Sequence, residues 1–255
     1  MHILNPIAEF PPEVAKAVLW PAGGEPPDGV RLLAELATFC GGAVDVNAEL
    51  AAEWADNVAD AVRPYVLRGS TPGESLEAVW RYTPDAPAGW GVPPKLSGVL
   101  MHSIASRLGI ETRLVQPRPE DPVPGLLVED YDTDRILTPL DGCLEAVEKD
   151  GAMVLRPRLV LTVALVHFLD ASSSTGRSNV LSKNELSRRA MNAARLTAAL
   201  SPTVVSSWID LAEASLRCGE AGYAYTLGER LVDSPGGHGA WAVYRAAASE
   251  IARRN

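Results

Sequence analysis

The chain has 255 residues, 47% of them hydrophobic and 22% charged, the make-up of a soluble globular protein with length for one large domain or two small ones. Its formal net charge of −9 argues against general nucleic-acid binding, which needs a basic surface to neutralise phosphates. The three cysteines, Cys40, Cys143 and Cys218, are too scattered for a zinc knuckle or a disulfide framework and read as reduced cytoplasmic thiols.

Residues 1–28 are rich in proline and glycine and are expected to form a loop-rich arm. The opening "MHILNPIAEFPPE" lacks the basic start and apolar run of a secretion signal. "GVRLLAELATFCGG" reads as a helix with Leu32, Leu33 and Leu36 on one side and Gly41-Gly42 as its stop. In the next helical pattern Leu50, Trp54, Val58 and Ala61 recur as the expected core stripe, ending at Pro64. "TPGESLEAVW" carries a capping box, with Thr71 as cap, Pro72 in the first turn and Glu74 three residues on.

"GVPPKLSGVLMHSIASRLGIETRLV", 91–115, then opens on a Pro-Pro pair in the first turn of a helix. Leu96, Val99, Leu100, Ile104 and Leu108 share its core face. Lys95, His102 and Ser106 lie on the opposite face. There they are either solvated or line a cleft, with Lys95 as a cation and His102 as an acid/base group. Beyond it the period changes to two. "TRLV", "GLLVED" and "RILTP" read as short strands, the last two joined as a hairpin through "YDTD". The acidic residues Glu129, Asp130, Asp132 and Asp134 lack the glycine and distal glutamate of a calcium loop and read as a solvated turn.

"LVLTVALVHFLD", 159–170, is too short to span a bilayer, and His167 within it reads as a core histidine. The serine-rich stretch 171–181 reads as a linker. From 182 the pattern is all helical, beginning with a second capping box, Ser182 to Glu185. Trp208 and Trp241 recur at 33 residues, the outline of a tetratricopeptide-like helical hairpin or of an ordinary helical bundle. Arg188, Arg189 and Arg195 read as a solvated face or as a site for an acidic partner. Neither a phosphate-binding loop nor a dinucleotide fingerprint is present, and the four histidines have no metal spacing, so no cofactor or metal is expected.

The motifs Gly91-Val92-Pro93, Arg107-Leu108-Gly109-Ile110, Ile136-Leu137, Pro139-Leu140 and Asp141-Gly142 resemble a family. It is that of the bacterial transglutaminase-like core proteins, invasion-regulator-like, with C-terminal tetratricopeptide-like helices. The likeness covers about 70–250. It implies an α+β fold: a transglutaminase-like core at 29–170, the linker 171–181, and a helical tetratricopeptide-like domain at 182–255. Such folds place a Cys-His-Asp triad on the helix start and the two strands after it, and none of the three is here. Pro94 or Lys95 stands for the cysteine, Gly125 or Leu126 for the histidine, and Thr138 for the aspartate. Cys143 sits among acidic neighbours, which raise a thiol pKa rather than lower it.

The resemblance therefore implies a diverged, non-catalytic protein, and the net charge, the thiols and the short apolar run point to a cytoplasmic one that binds neither nucleic acid nor membrane. It would bind a protein or peptide partner in a regulatory or biosynthetic assembly. The alternative is a specialised-metabolism enzyme for acyl transfer, condensation or cyclisation of a small-molecule or carrier-bound substrate. That enzyme would work without a cysteine, through Lys95 and His102 with Asp132 or Glu129.

Overall fold

The computed structural model describes residues 10–20, 26–40, 46–66, 70–83, 90–117, 123–129, 134–140, 143–147, 152–174 and 183–254. The chain divides into two compact units, 11–171 and 172–255 with 1–10. Among the described residues no helix is long and apolar enough to cross a membrane.

The first unit is α+β. Its segment before residue 29 is more ordered than a loop-rich arm, because α1 (Pro12–Leu19) lies within it and buries Val14, Ala17 and Val18. The cause is long-range and polar. The Glu35 carboxylate, on α2 (Gly29–Phe39), accepts from the Glu13 and Val14 amides at 2.7 and 3.1 Å and so caps α1 from outside. Glu13 in turn accepts from the Asp28 amide at 3.0 Å. Asp28 is itself the N-cap of α2, its Oδ1 accepting from Val30 and Arg31. Leu32, Leu33 and Leu36 of α2 are all buried, as their spacing predicts.

The helix α3 (Ala48–Val62) ends in a 3₁₀ turn at Arg63–Tyr65, where proline falls. Its buried face differs from the expected stripe. Ala51, Ala52, Ala55, Val58, Ala59 and Val62 face inward, whereas Leu50 is 59% exposed and Ala61 is at the surface. Small side chains let α3 approach α2 and α5 closely, and the large ones are displaced to the rim, where Trp54 meets Trp90 edge-on at 5.1 Å. The capping box forms at the head of α4 (Pro72–Tyr82). Thr71 accepts from the Glu74 amide, and the Glu74 carboxylate accepts from the Thr71 amide.

Five antiparallel strands follow in spatial order β4-β3-β2-β1-β5: β1 (Arg113–Gln116), β2 (Gly125–Glu129), β3 (Asp134–Leu140), β4 (Cys143–Val147) and β5 (Met153–Val154). The β2–β3 hairpin has Leu126 opposite Leu137 and Leu127 opposite Ile136. The short β5 returns to the free edge of β1, pairing Val115 with Val154. Val115, Leu127 and Ile136 form a buried cluster on the sheet. The helix α5 (Ser97–Arg107) packs on β1, β2 and β3, and α6 (Pro157–Ser174) buries Leu161, Ala164, His167 and Phe168.

In the second unit α7 (Lys183–Leu200), α8 (Val205–Arg217), α9 (Ala221–Val232) and α10 (Ala240–Arg254) each pack on the next, around Leu211, Ala224, Leu227, Leu231 and Ala247. Ser182, the expected cap of α7, lies outside the described residues. The two tryptophans of the 33-residue spacing are not equivalent. Trp208 is 4% exposed and donates its indole N–H to the Pro202 carbonyl at 3.0 Å, while Trp241 is 52% exposed.

Candidate functional site

The Pro-Pro start does not open an α-helix directly. Pro94–Leu96 form a 3₁₀ turn, and α5 begins at Ser97, whose hydroxyl donates to the Pro94 carbonyl at 2.6 Å. Lys95 sits in that turn, exposed. Just inside the helix, Gly98 is buried against the chain entering β2. A β-carbon there would overlap the Pro124 carbonyl oxygen and stand 3.0 Å from its carbon. One residue on, a β-carbon at Gly125 would meet Thr138 Oγ1 at 2.9 Å, Ile136 at 3.0 Å and Pro117 at 3.0 Å. Thr138 is 2% exposed, and its hydroxyl has no hydrogen-bond partner among the described residues. The helix start thus lies in close contact with the chain entering β2, and Gly125 lies close against Thr138, Ile136 and Pro117.

The rest of α5 is buried nearly all round, because helices cover the side away from the sheet. His102, read from the sequence as either solvated or lining a cleft, is half-buried. Its Nδ1 is 2.7 Å from the Thr112 hydroxyl. Burial pushes the imidazole below its ordinary pKa of 6.5, so the ring is neutral at pH 7. Arg107 closes the helix. It pairs with Asp28 at 2.7 Å and Asp56 at 2.5 Å and donates to the Ser103 carbonyl at 3.0 Å. Burial opposes its charge, but the two carboxylates outweigh burial and raise its pKa. After Leu108, the Gly109 and Ile110 amides donate to Ser106 and Ala105, a Schellman stop that needs the left-handed φ of +76° only glycine adopts freely. This turn aims Glu111, Thr112 and Arg113 into β1.

Two cavities flank that segment. One is an open cleft of about 900 Å³ lined by Ser70, Ser75, Ser106, Glu111 and Arg113, with Leu108, Ile110 and Leu127 as its apolar part. The other, about 320 Å³, is mostly apolar, with Leu32, Val99, Leu114, Leu155 and Val160 around His102. Thr112 and Arg113 line both.

Of the residues singled out from sequence, His102 lines the smaller cavity and Lys95 lines neither. Asp132 lies outside the described residues, as does the side chain of Glu129. No cluster of three or more metal-ligating side chains occurs among the described residues. Thr112 and Arg113 carried no motif. They matter because the Schellman turn delivers them to the sheet edge, a role fixed by Gly109 rather than by their own identity.

In the second unit Arg188 lines a 350 Å³ hollow with Arg217, Cys218 and Glu220, Arg189 pairs with Glu185 at 2.7 Å, and Arg195 is 8% exposed. The three arginines therefore do not present one solvated face. No protein-family model, curated protein or solved structure matches the chain.

Proposed function

We propose that this chain is a diverged, non-catalytic transglutaminase-like protein that binds a peptide or protein segment in the open cleft beside β1, and that its helical tail is a tetratricopeptide-like partner surface. The observation that carries this is the packed helix start. The positions corresponding to a triad histidine and aspartate, Gly125 and Thr138, adjoin each other, and α5 begins against Pro124, which supports the family resemblance. The same closeness disfavours an acyl group at the helix start. The cleft has the mixed character a peptide needs, with serine hydroxyls, one acidic and one basic side chain, and an apolar floor.

The test is selection of peptides from a random display library on the full chain, followed by calorimetry on the selected sequences. Ser106→Trp, an exposed position in the cleft, should abolish their binding without changing the melting temperature. A variant that binds as the wild type does would remove the cleft from the proposal. Turnover of thioester or peptide substrates that is lost in Lys95→Ala or His102→Ala would replace the binder with the enzyme.

A further inference from the structure

We infer that the smaller cavity is a binding site for a compact, neutral, mostly apolar molecule carrying one hydroxyl or carbonyl group, which His102 recognises through Nε2. The cavity is built from distant parts of the first unit: Pro26, Pro27 and Leu32 at the head of α2, Val99 and His102 on α5, Leu114 on β1, and Val154 to Val160 from β5 into α6. Its 320 Å³ is at the lower end of the range of small-molecule pockets, about 300–1,000 Å³. At protein packing density, roughly three-quarters of that volume can be filled by ligand atoms, which suits a single substituted ring or a short chain rather than a nucleotide or a sugar chain.

The polar inventory sets the rest of the chemistry. No carboxylate lines the cavity, and the arginine at its rim is exposed. His102 is the histidine in the wall. Its Nδ1 is engaged by Thr112, which fixes the ring, and among the described residues Nε2 has no partner. A half-buried imidazole with one nitrogen tied and the other open to an apolar chamber offers one hydrogen bond and no charge. A cationic ligand would lose its hydration with no carboxylate to meet, an anion would gain only the solvent-exposed Arg113 charge, whose pairing is worth little, and a pure hydrocarbon would leave Nε2 unsatisfied. The site is independent of the peptide reading. Its wall shares Thr112 and Arg113 with the outer cleft, but neither residue supplies the contact argued here.

The experiment uses 4-ethylphenol and ethylbenzene as probes on the full chain, followed by calorimetry and ligand-observed NMR. The phenol should bind saturably at one site and about three- to tenfold tighter than the hydrocarbon, the gain of one neutral hydrogen bond. Val154→Trp, at an exposed position on the edge strand, should block the mouth and remove binding of both. His102→Phe should keep the hydrocarbon and erase the preference for the phenol. The absence of saturable binding to the wild type, equal affinity for the two probes, or unchanged binding in Val154→Trp would each overturn the assignment. Loss of phenol binding in Ser106→Trp, with Val154→Trp unaffected, would place the probe in the outer cleft and overturn it as well.

Discussion

Gly98→Ala tests the packing on which the functional reading depends. Substitution of glycine by alanine within a helix ordinarily stabilises, by about 0.4–1 kcal/mol, through a less flexible unfolded chain. Here the added methyl would overlap the Pro124 carbonyl oxygen, and regaining van der Waals separation requires α5 and β2 to part by on the order of 1 Å. Pro124 has little freedom to recoil, because Gly125 behind it is already closely wedged against Thr138, Ile136 and Pro117. Overpacking of this kind costs about 1–3 kcal/mol, so the net effect should be a loss of about 1–2 kcal/mol after the helix gain is subtracted. Urea unfolding gives the total, and hydrogen exchange at the α5 amides localises it, which matters where two units can unfold separately. A variant as stable as the wild type, with α5 equally protected, would show that the helix start has room and would reopen the enzyme reading.

Three other outcomes follow from particular groups. Trp208→Ala should cost about 3–5 kcal/mol, as for a buried aromatic, and Trp241→Ala no more than about 1 kcal/mol; equal losses by denaturation would restore the two as repeat equivalents. Because burial holds His102 below its ordinary 6.5, the unfolded chain binds the proton more readily. The contribution of His102 is therefore fully present above about pH 6.5 and is lost as the pH falls through the lower, folded-state pKa. Urea midpoints between pH 5 and 7.5 should accordingly drop more steeply for wild type than for His102→Gln, and parallel curves would contradict the burial. Cys40 is 3% exposed and its thiol is pushed up to about 12 by burial. With Cys143 and Cys218 changed to serine, iodoacetamide at pH 8 should therefore label it only on unfolding, and prompt labelling of the native protein would refute that placement.

The features legible in the sequence are those whose causes are local. The Thr71–Glu74 box, the β2–β3 hairpin and the α2 core face each rest on residues within a turn or two of one another. What could not be read rests on partners far apart in the chain. Nothing near α1 announces that Glu35 will cap it. Hydropathy alone favours Leu50 and Trp54 over the alanines as the buried face of α3, because hydropathy does not register how closely two helices approach. Trp241 matched Trp208 by spacing, but spacing does not say that α10 begins so near that residue that its side chain is left at the surface. The cavity around His102 draws on residues from Pro26 to Val160, and no period or motif connects them.

The same distinction bears on the triad positions that the proposed family reading implies. On the family reading proposed above, Pro94 or Lys95, Gly125 or Leu126, and Thr138 stand at the triad positions. In the fold Gly125 and Thr138 adjoin each other, while Lys95 is exposed. The turn holding Lys95 is 3₁₀ and exposed rather than the first turn of α5, so a thiol there would lack the aligned amides that lower a cysteine pKa. A histidine at 125 would have to displace Thr138, Ile136 and Pro117 together. An aspartate at 138 would be a buried carboxylate in place of a hydroxyl that already lacks a partner among the described residues. A triad at these positions would need α5 moved away from the chain entering β2, and with it the Gly109 turn that leads to Thr112. A ligand for either of the two cavities beside β1 would therefore test the proposed reading most directly.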